Sequence, residues 1–232
     1  MKIIGIIPAR YGSTRFPGKP LADIAGKPMI QWVYEGALKS KILGRVIIAT
    51  DDKRIFQCAG RFTKDVVMTP EFKSGTDRLA FVSENMDCDI VVNIQGDEPL
   101  IDANVIDSAV KPLAENSGID AATVATEFES ETEKSNPNNV KVITDKKNFA
   151  IYFSRLPLPA ALKHIGLYVY KKDFLIKFSK MAQTELELKE KLEQLRILEN
   201  GYKIYVTKTV YNTIGVDTKE DLEKVRKIIS RR

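Results

Sequence analysis

The chain has 232 residues, of which 44% are hydrophobic and 29% are charged. This length and composition are typical of one globular domain with a sizeable core, and they exclude a disordered or low-complexity protein. Lysine and arginine outnumber aspartate and glutamate by 36 to 31, so the net charge is only +5. An excess this small is weak evidence for nucleic-acid binding and fits an anionic small substrate equally well.

The cysteines and the apolar segments narrow the class of protein further. Two cysteines, Cys58 and Cys88, cannot form a disulfide framework or a four-ligand zinc site, and we interpret them as small buried thiols in a reducing compartment. No apolar run approaches the roughly 20 residues that a membrane span needs. The apolar start of the chain is interrupted by Pro8 and Arg10, unlike a signal peptide. We therefore expect a soluble, cytoplasmic protein.

The first half of the chain alternates between predicted strands and predicted helices. The strands are apolar runs at residues 2–7, 45–50, 65–69 and 89–95. Helices are expected from Pro28, near residues 52–62, from a cap at Thr76 or Asp77 to about Asn85, and from residues 101–102 onward. The alternation predicts a mainly parallel sheet with helices on both faces. Because ligands of such sheets bind beyond the carboxyl ends of the strands, the polar loops that follow the four strands should line one crevice.

The second half of the chain has β-like runs that follow one another closely. They lie at residues 121–128, 140–144, 149–153 and 164–171, with a turn at residues 145–147. We interpret them as antiparallel strands added to the parallel sheet. The leucine spacing then predicts one long charged helix over residues 184–200, a last strand over residues 202–210 and a closing helix from Thr218. The predicted fold is an α/β domain with a mixed, mainly parallel sheet flanked by helices and with an antiparallel extension.

A basic, glycine-rich loop follows the first predicted strand. Residues 8–20 read PARYGSTRFPGKP. Glycines expose backbone N–H groups and the three cations neutralise charge, which is what a polyphosphate site requires. The loop is not a Walker A motif, because five residues separate Gly12 from Gly18 and Pro20 replaces the usual Ser or Thr. The alternative is a solvated basic loop that binds nothing.

Two acidic motifs follow later in the chain. Asp97 comes just after a buried strand and a glycine, in NIQGDEP at residues 93–99, where it could hold Mg²⁺ against phosphate oxygens or simply occupy a turn. Asp217 lies in GVDTKED at residues 215–221. From sequence alone we favour Asp217 as the cap of the last helix, with a second carboxylate ligand for a metal as the alternative.

Together these motifs resemble the sugar-acid cytidylyltransferases, most closely the 3-deoxy-manno-octulosonate (Kdo) cytidylyltransferases, or CMP-Kdo synthetases. The matching blocks run in family order along the chain: IIPARYGSTRFPGKPL at residues 6–21, SGTDRL at 74–79, NIQGDEPLI at 93–101, YFSRLPLP at 152–159, KHIGLYVY at 163–170, LEQLR at 192–196 and GVDTKEDLEKVR at 215–226. The first block alone indicates only a sugar nucleotidyltransferase, whereas the YFSR, HIGLY and LEQLR blocks make the resemblance to the Kdo cytidylyltransferases specific.

The resemblance implies a single Rossmann-like nucleotidyltransferase domain over residues 1–232, with a mainly CTP-binding half (1–118) and a sugar-binding and dimerisation half (119–232). It implies transfer of CMP from CTP to the anomeric hydroxyl of Kdo, giving CMP-Kdo and pyrophosphate for lipopolysaccharide biosynthesis, with Mg²⁺ as cofactor and a homodimer as the assembly. Neither nucleic acid nor a membrane is expected as a partner. The alternatives are a cytidylyltransferase for sialic acid or 8-amino-Kdo, and a non-catalytic nucleotide-binding protein of the same fold.

The resemblance also assigns roles at the matched positions. The expected catalytic residues are Arg10, Lys19, Asp97 and Asp217, of which Asp97 and Asp217 would bind Mg²⁺. CTP would be held by Arg10, Gly12, Ser13, Lys19, Arg78 and Gln95, and the sugar by Arg155, His164, Tyr168, Glu193 and Gln194. A planar guanidinium such as that of Arg155 suits a sugar carboxylate, because it donates two parallel hydrogen bonds. His164, the only histidine, is a structural residue or a substrate contact, and its place in a matched block favours the contact.

Overall fold

The structure is a computed structural model that describes residues 1–12 and 16–231. The strands are β1 (Ile3–Ala9), β2 (Asp23–Ile24), β3 (Lys27–Pro28), β4 (Arg45–Thr50), β5 (Val66–Met68), β6 (Ile90–Asn93), β7 (Ala121–Thr126), β8 (Lys141–Thr144), β9 (Ala150–Ser154), β10 (Leu162–Lys171) and β11 (Ile204–Lys208). The helices are α1 (Met29–Ala37), α2 (Lys53–Ala59), α3 (Gly75–Glu84), α4 (Ala103–Glu115), α5 (Glu131–Ser135), α6 (Lys172–Ser179), α7 (Glu185–Glu190), α8 (Leu195–Glu199) and α9 (Lys219–Ile229), and a 3-10 helix spans Lys19–Leu21.

A mixed sheet forms the centre of the molecule, with strand order β11-β7-β10-β6-β1-β4-β5. Strands β6, β1, β4 and β5 run parallel to one another, and β11 runs parallel to β7. Strand β10 lies antiparallel between β6 and β7, and the β8–β9 hairpin extends the sheet from β10. The predicted fold class, a mainly parallel sheet with an antiparallel extension, is therefore confirmed.

Alternating side chains of the central strands fill two hydrophobic layers. On β1, Ile7 packs toward α1, α2 and α4, whereas Ile6 packs toward α3, α6 and α8. This alternation is the two-residue period of a strand that is buried on both faces. A third, smaller cluster joins α9 to the β2–β3 hairpin through Ile24, Met29 and Val225. That cluster packs the end of the chain against its beginning.

The predicted single helix over residues 184–200 is wrong, because the structure has two short helices there. Lys191 adopts a left-handed conformation (φ 56°, ψ 45°) and ends α7. The Nε–H group of Arg196 donates to Glu187 across the break at 2.7 Å, and both side chains are buried. In a continuous helix, residues nine positions apart would lie about 13 Å apart along the axis. The buried ion pair therefore requires the break, and leucine spacing alone does not reveal it.

Two helix caps also differ from the sequence-based prediction. Helix α3 is capped by Ser74, whose hydroxyl accepts from the Asp77 N–H group at 3.1 Å, rather than by Thr76 or Asp77. Helix α9 is capped by Thr218, which forms a reciprocal capping box with Asp221. The favoured interpretation of Asp217 as this cap is therefore wrong.

Several short elements have no counterpart in the prediction. They are the 3-10 helix, the β2–β3 hairpin, α5 and α6. Every helix or strand among them but α6 has five residues or fewer, too short to show a hydrophobic period, whereas α6 does carry a helical stripe of Phe174, Leu175 and Phe178 that the sequence-based prediction missed. Within the described residues, no helix combines the length and the apolar character needed to cross a membrane.

Candidate active site

A cavity of about 540 Å³ opens beyond the carboxyl ends of β1 and β6, beside the beginning of α3. Segments after β1, β5 and β6 form its walls, so three of the four loops expected to share one crevice do so, whereas no described lining residue comes from the loop after β4. The cavity-lining residues that the resemblance singled out are Arg10, Gly12, Lys19, Arg78, Gln95, Asp97 and Asp217. Ser13, the remaining residue expected to hold CTP, lies outside the described part of the chain.

The basic loop closes on itself at Gly18, directly before Lys19. The Gly18 N–H group donates to the Tyr11 carbonyl at 2.9 Å, and Gly18 has a left-handed φ of 72°. A Cβ atom at this position would lie 2.9 Å from the Tyr11 ring, so a larger residue would be both strained and crowded. The Arg54 guanidinium covers the same ring, 3.3 Å from its centroid. This closure of the loop places the Lys19 side chain in the wall of the cavity.

The Lys19 ammonium lies between the two expected metal ligands. Its Nζ atom is 2.5 Å from Asp97 Oδ2, 3.1 Å from Asp217 Oδ1 and 3.0 Å from the Val216 carbonyl oxygen. Burial alone would lower the pKa of Lys19, but the two carboxylates outweigh burial and raise it. The Val216 N–H group also donates to the Asp97 carbonyl at 2.8 Å, which ties the two acidic segments together.

The oxygens around Lys19 suit a divalent cation. Two carboxylates and a carbonyl oxygen converge on one positive charge, and hard oxygen ligands of this kind are those that Mg²⁺ prefers. Among the described residues, no group of three or more His, Cys, Asp and Glu side chains is arranged to hold a metal. Asp97 and Asp217 are the two carboxylates here that could hold such a cation, with phosphate oxygens or water as its remaining ligands.

Arg78 is fixed at the inner wall of the cavity. Its side chain is almost fully buried and donates through Nη2 to Asp51 at 2.7 Å and through Nη1 to the Thr69 hydroxyl. Asp51 and Thr69 follow or end predicted strands, where sequence analysis placed polar loops without assigning a role. A guanidinium carries five N–H donors, so Arg78 retains donors for a ligand while these two partners hold its orientation.

A distortion of β10 positions Gln95. The register between β10 and β7 shifts between Ile165 and Tyr168. The carbonyl of Gly166, inside this irregular stretch, accepts from Gln95 Nε2 at 3.1 Å. Next to Gln95, a Cβ atom on Gly96 would lie 3.0 Å from the Pro8 carbonyl, so a glycine lets the loop approach β1 closely. Gln95 is thus held at the boundary of two cavities.

The second cavity, of about 180 Å³, adjoins the first through the residues common to both, Pro8, Gly75 and Gln95. Its other lining residues are Thr76, Asn93, Tyr168, Tyr170, Glu193 and Gln194. Tyr168, Glu193 and Gln194 are three of the expected sugar-binding residues. Thr76, Asn93 and Tyr170 were not singled out, although they lie inside the matching blocks, because sequence does not tell which side chains of a strand or helix face a cavity.

Glu193 is the acidic group of this second cavity. Its Oε2 atom accepts from the Thr76 hydroxyl at 2.6 Å. Burial raises the pKa of Glu193, against the opposing effect of that hydrogen bond. Burial, followed by the Glu193 carboxylate, also raises the pKa of Tyr168. The cavity wall therefore presents hydroxyl and carboxyl groups that suit a polyol.

A buried carboxyl group, Glu98, was missed by the sequence analysis although it lies in the NIQGDEP motif. The Thr213 hydroxyl donates to its Oε2 atom at 3.1 Å. Burial, and then the neighbouring Asp97 carboxylate, raise the pKa of Glu98 to about 7. No sequence signal separates this acid from Asp97 beside it, since only tertiary packing decides which of the two is buried.

His164 and Arg155 do not line either cavity. The rings of Phe153 and Tyr168 each lie 5.2 Å from the His164 ring. Because the Thr123 hydroxyl donates its single proton to a backbone carbonyl, it accepts from His164 Nε2–H, at 2.8 Å. Burial lowers the pKa of His164 to about 3, so the ring is neutral. It packs against Tyr168, which separates it from the second cavity.

The Arg155 side chain is held by backbone carbonyl groups. Its Nε atom donates to the Glu190 carbonyl at 3.3 Å and its Nη1 atom to the Pro137 carbonyl at 3.2 Å. The Arg155 carbonyl in turn accepts from the buried ammonium of Lys141 at 3.0 Å. In this arrangement the guanidinium is not presented to the cavity that Tyr168 lines.

The sequence of the chain is similar to those of known cytidylyltransferases. A family model described as cytidylyltransferase matches residues 4–204. The chain is 51% identical to the 3-deoxy-manno-octulosonate cytidylyltransferase of Geotalea uraniireducens (strain Rf4), over 97% of this chain and 98% of that protein. It is 49% identical to the enzyme of the same name from Geobacter metallireducens, over 100% and 99% of the two chains.

The fold is likewise similar to solved structures. The structure of CMP:2-keto-3-deoxy-manno-octonic acid synthetase complexed with CTP matches with a TM-score of 0.95 and 40% identity, covering 100% of this chain and 99% of that one. A cytidylyltransferase from Leptospira borgpetersenii matches with a TM-score of 0.70 at 19% identity, covering 100% and 88% of the chains, and shares the fold alone. The expected nucleotidyltransferase fold is confirmed by the first of these matches.

Proposed function

The chain belongs to the cytidylyltransferase family, and from that premise we propose that it transfers CMP from CTP to the anomeric hydroxyl of 3-deoxy-manno-octulosonate, releasing pyrophosphate. The observation that carries the proposal is the pair of adjoining cavities. One combines cations with carboxylates, as a triphosphate site requires, and the other presents the hydroxyl, amide and carboxyl groups that bind a polyol. The product would enter lipopolysaccharide biosynthesis.

The first cavity would bind the triphosphate and its metal. Arg10 and Lys19 would neutralise phosphate charge, while Asp97 and Asp217 would hold Mg²⁺. When bound, Mg²⁺ lowers the pKa of the attacking hydroxyl and stabilises the charge of the departing pyrophosphate. Gly12, and Ser13 beside it, would supply donors from the loop, and Arg78 and Gln95 would read the cytosine from the inner wall.

The chemistry needs no covalent intermediate on the protein. The sugar hydroxyl would attack the α-phosphorus in line with the departing pyrophosphate, so the side chains act by position and charge. Gln95 lines both cavities and would stand where nucleotide and sugar meet. Tyr168, Glu193 and Gln194 would bind the sugar hydroxyls. His164 would support Tyr168 from behind.

We propose that Arg155 binds the sugar carboxylate only after a change of rotamer. Its present carbonyl partners are neutral acceptors, which a carboxylate outcompetes as a partner for a guanidinium. Arg155→Lys should then raise the KM for the sugar acid while leaving the affinity for CTP unchanged. An unchanged KM for the sugar acid would contradict this role.

The two halves of the chain contribute jointly to the proposed site. Asp217, from the half expected to bind sugar, lies at the triphosphate cavity, and Thr76 and Asn93, from the half expected to bind CTP, line the second cavity. We therefore propose a single domain whose halves overlap at the site, rather than separate binding regions. A fragment of residues 1–118 lacks Asp217 and strand β10, which pairs with β6, so it should fail to bind CTP in the Mg²⁺-dependent manner of the full chain.

We also propose a homodimer in the cytoplasm. Strand β9 is an edge strand paired with β8, and Ile151 and Leu156 on and after it are 59% and 67% exposed. Apolar side chains on an open edge are typical of an association surface. The cysteines Cys58 and Cys88 are free thiols, as in a reducing compartment. Light scattering in solution tests the assembly, and the molar mass of one chain would contradict it.

The reaction is tested by pyrophosphate release with CTP, Mg²⁺ and a panel of sugar acids. The panel holds 3-deoxy-manno-octulosonate, its 8-amino analogue and N-acetylneuraminate, with ATP, GTP and UTP as nucleotide controls. Turnover with CTP and 3-deoxy-manno-octulosonate alone is the expected result. Turnover with a different acid would keep the cytidylyl transfer and replace the acceptor. Binding of CTP with no turnover on any acid would indicate a non-catalytic protein.

A further inference from the structure

Asn93 is a buried polar residue at the wall of the second cavity. It is the last residue of β6, aligned with Ile6 on β1 and with Tyr168 on β10, and its side chain is part of the cavity wall. Only 4% of the residue is exposed. Its Oδ1 atom is buried and has no hydrogen-bond partner among the described residues.

An unpaired buried amide oxygen is costly, so folded proteins almost always satisfy such groups with a protein, water or ligand partner. Asn93 is paired with both neighbouring strands, and the unpaired atom belongs to its side chain. The amide carries both an acceptor and two donors, and a hydroxyl group also carries both functions. A ligand hydroxyl in the cavity is therefore the natural partner of this side chain.

The Glu193 carboxylate lines the same cavity. Its Oε1 atom is buried and makes an ion pair with Arg196 Nη2 at 3.5 Å. An unpaired amide oxygen and a carboxylate in a cavity of about 180 Å³ suit a ligand with more than one donor. Glu193 is the one carboxylate among the described residues that line this cavity, and Asn93 is neutral. The wall therefore suits the hydroxyl groups of a neutral polyol better than the two positive charges of a diamine.

We propose that Asn93 is a specificity-determining residue of the reaction, and that its side-chain amide hydrogen-bonds a hydroxyl group of the acceptor sugar. The inference deepens the proposed function and rests on it. It assigns Asn93 to the acceptor and not to CTP, since Asn93 lines the second cavity and is absent from the wall of the first. The unpaired state of the side chain without a ligand is then a cost that binding removes.

The experiment compares Asn93→Leu, which keeps the approximate volume, with Asn93→Asp, which keeps the shape. Asn104→Leu, an exposed position on α4, is the matched control. For each protein we would measure the dissociation constant of CTP by calorimetry, the KM of the acceptor by pyrophosphate release, and the Tm without ligand. Monodeoxy analogues of the acceptor identify the hydroxyl concerned.

We expect Asn93→Leu to raise the acceptor KM by about tenfold, the effect of one lost hydrogen bond. CTP affinity should stay within twofold of the wild type. The Tm without ligand should rise by about 2 °C, because an unpaired buried amide is removed. One monodeoxy analogue should be used equally well by the variant and the wild type, since its missing hydroxyl is the partner of Asn93.

An acceptor KM within twofold of the wild type in both Asn93 variants overturns the proposal. A lower Tm together with weaker CTP binding, or failure of both variants to fold, indicates a structural role and also overturns it. Equal losses on every monodeoxy analogue would mean a distorted pocket rather than a lost hydrogen bond. If the wild type itself uses none of the sugar acids, the proposed function fails first, and the role of Asn93 fails with it.

Discussion

Replacing Lys19 by methionine removes the positive charge that separates two carboxylates. Because Nζ lies 2.5 Å from the Asp97 oxygen and 3.1 Å from the Asp217 oxygen, those oxygens are at most about 5.6 Å apart, close enough to repel strongly. Two unit charges at that separation repel by about 3 kcal/mol at an effective dielectric constant of about 20. The Asp217 side chain is 41% exposed, so solvent reduces the repulsion to about 1–2 kcal/mol.

The consequence is a variant whose stability depends on metal. We expect Lys19→Met to lower the free energy of unfolding by about 1–2 kcal/mol without metal, through the repulsion between Asp97 and Asp217 that the ammonium offsets in the wild type. Mg²⁺ should restore this loss, since it would take the position of the ammonium between the same oxygens. The increase in Tm on adding Mg²⁺ should therefore be larger in the variant than in the wild type.

The assay is thermal and urea unfolding of both proteins with and without Mg²⁺, at constant ionic strength. Lys27→Met is the matched control, because Lys27 makes a half-exposed ion pair with Glu35 away from the cavity. The control should lose little stability and show no gain in metal response. The reasoning is refuted if Lys19→Met is as stable as the wild type without metal, or if Mg²⁺ shifts the Tm of both proteins equally.

Three further predictions test other parts of the site. Asp97→Asn should abolish turnover while the far-UV circular dichroism stays unchanged, and wild-type activity in this variant would rule out the metal assignment. The pKa of His164 is about 3 in the folded protein, below its usual 6.5, so the unfolded state takes up the proton first and stability falls as pH drops through 6.5. Relative to His164→Gln, the wild type should lose about 1.3 kcal/mol between about pH 7.5 and about pH 5.5 in urea unfolding, and equal slopes would contradict the burial of a neutral ring. Val225 lies on the buried face of α9 and is fully buried, so Val225→Ala should cost about 2 kcal/mol and raise the Mg²⁺ concentration needed for half-maximal activity, by loosening Asp217. The control is the exposed Val210→Ala, which should change neither quantity.

The order of strands and helices in the first half of the chain follows from local sequence. Runs of β-branched residues at residues 45–50 and 89–95 form strands buried on both faces, and the segments between them have helical spacing. Because strand type and connection rules together restrict the topology, they were sufficient to predict a crevice at the carboxyl ends. A phosphate site in the basic loop before Lys19 could also be predicted, since glycine and cation content are properties of residues and not of contacts.

The placement of side chains across the chain was decided by tertiary structure. Asp217 is 198 residues from Lys19 in sequence, and local capping logic assigned it to the wrong role, because Thr218 takes the cap and α9 packs on the β2–β3 hairpin. The break at Lys191 follows from a buried ion pair that forms only when α7 and α8 fold back.

The same division holds for the second cavity. The resemblance was sufficient to single out Tyr168 and Glu193, which line it, whereas Asn93 and Thr76 became part of the wall only once β6, β10 and α3 were packed together. Sequence by itself determined which chemistry the chain carries, because residue type and spacing are local properties. Tertiary structure alone decided which side chains contact one another, which polar atoms have no hydrogen-bond partner and which residues do not line a cavity. These properties depend on packing between segments that are distant in sequence.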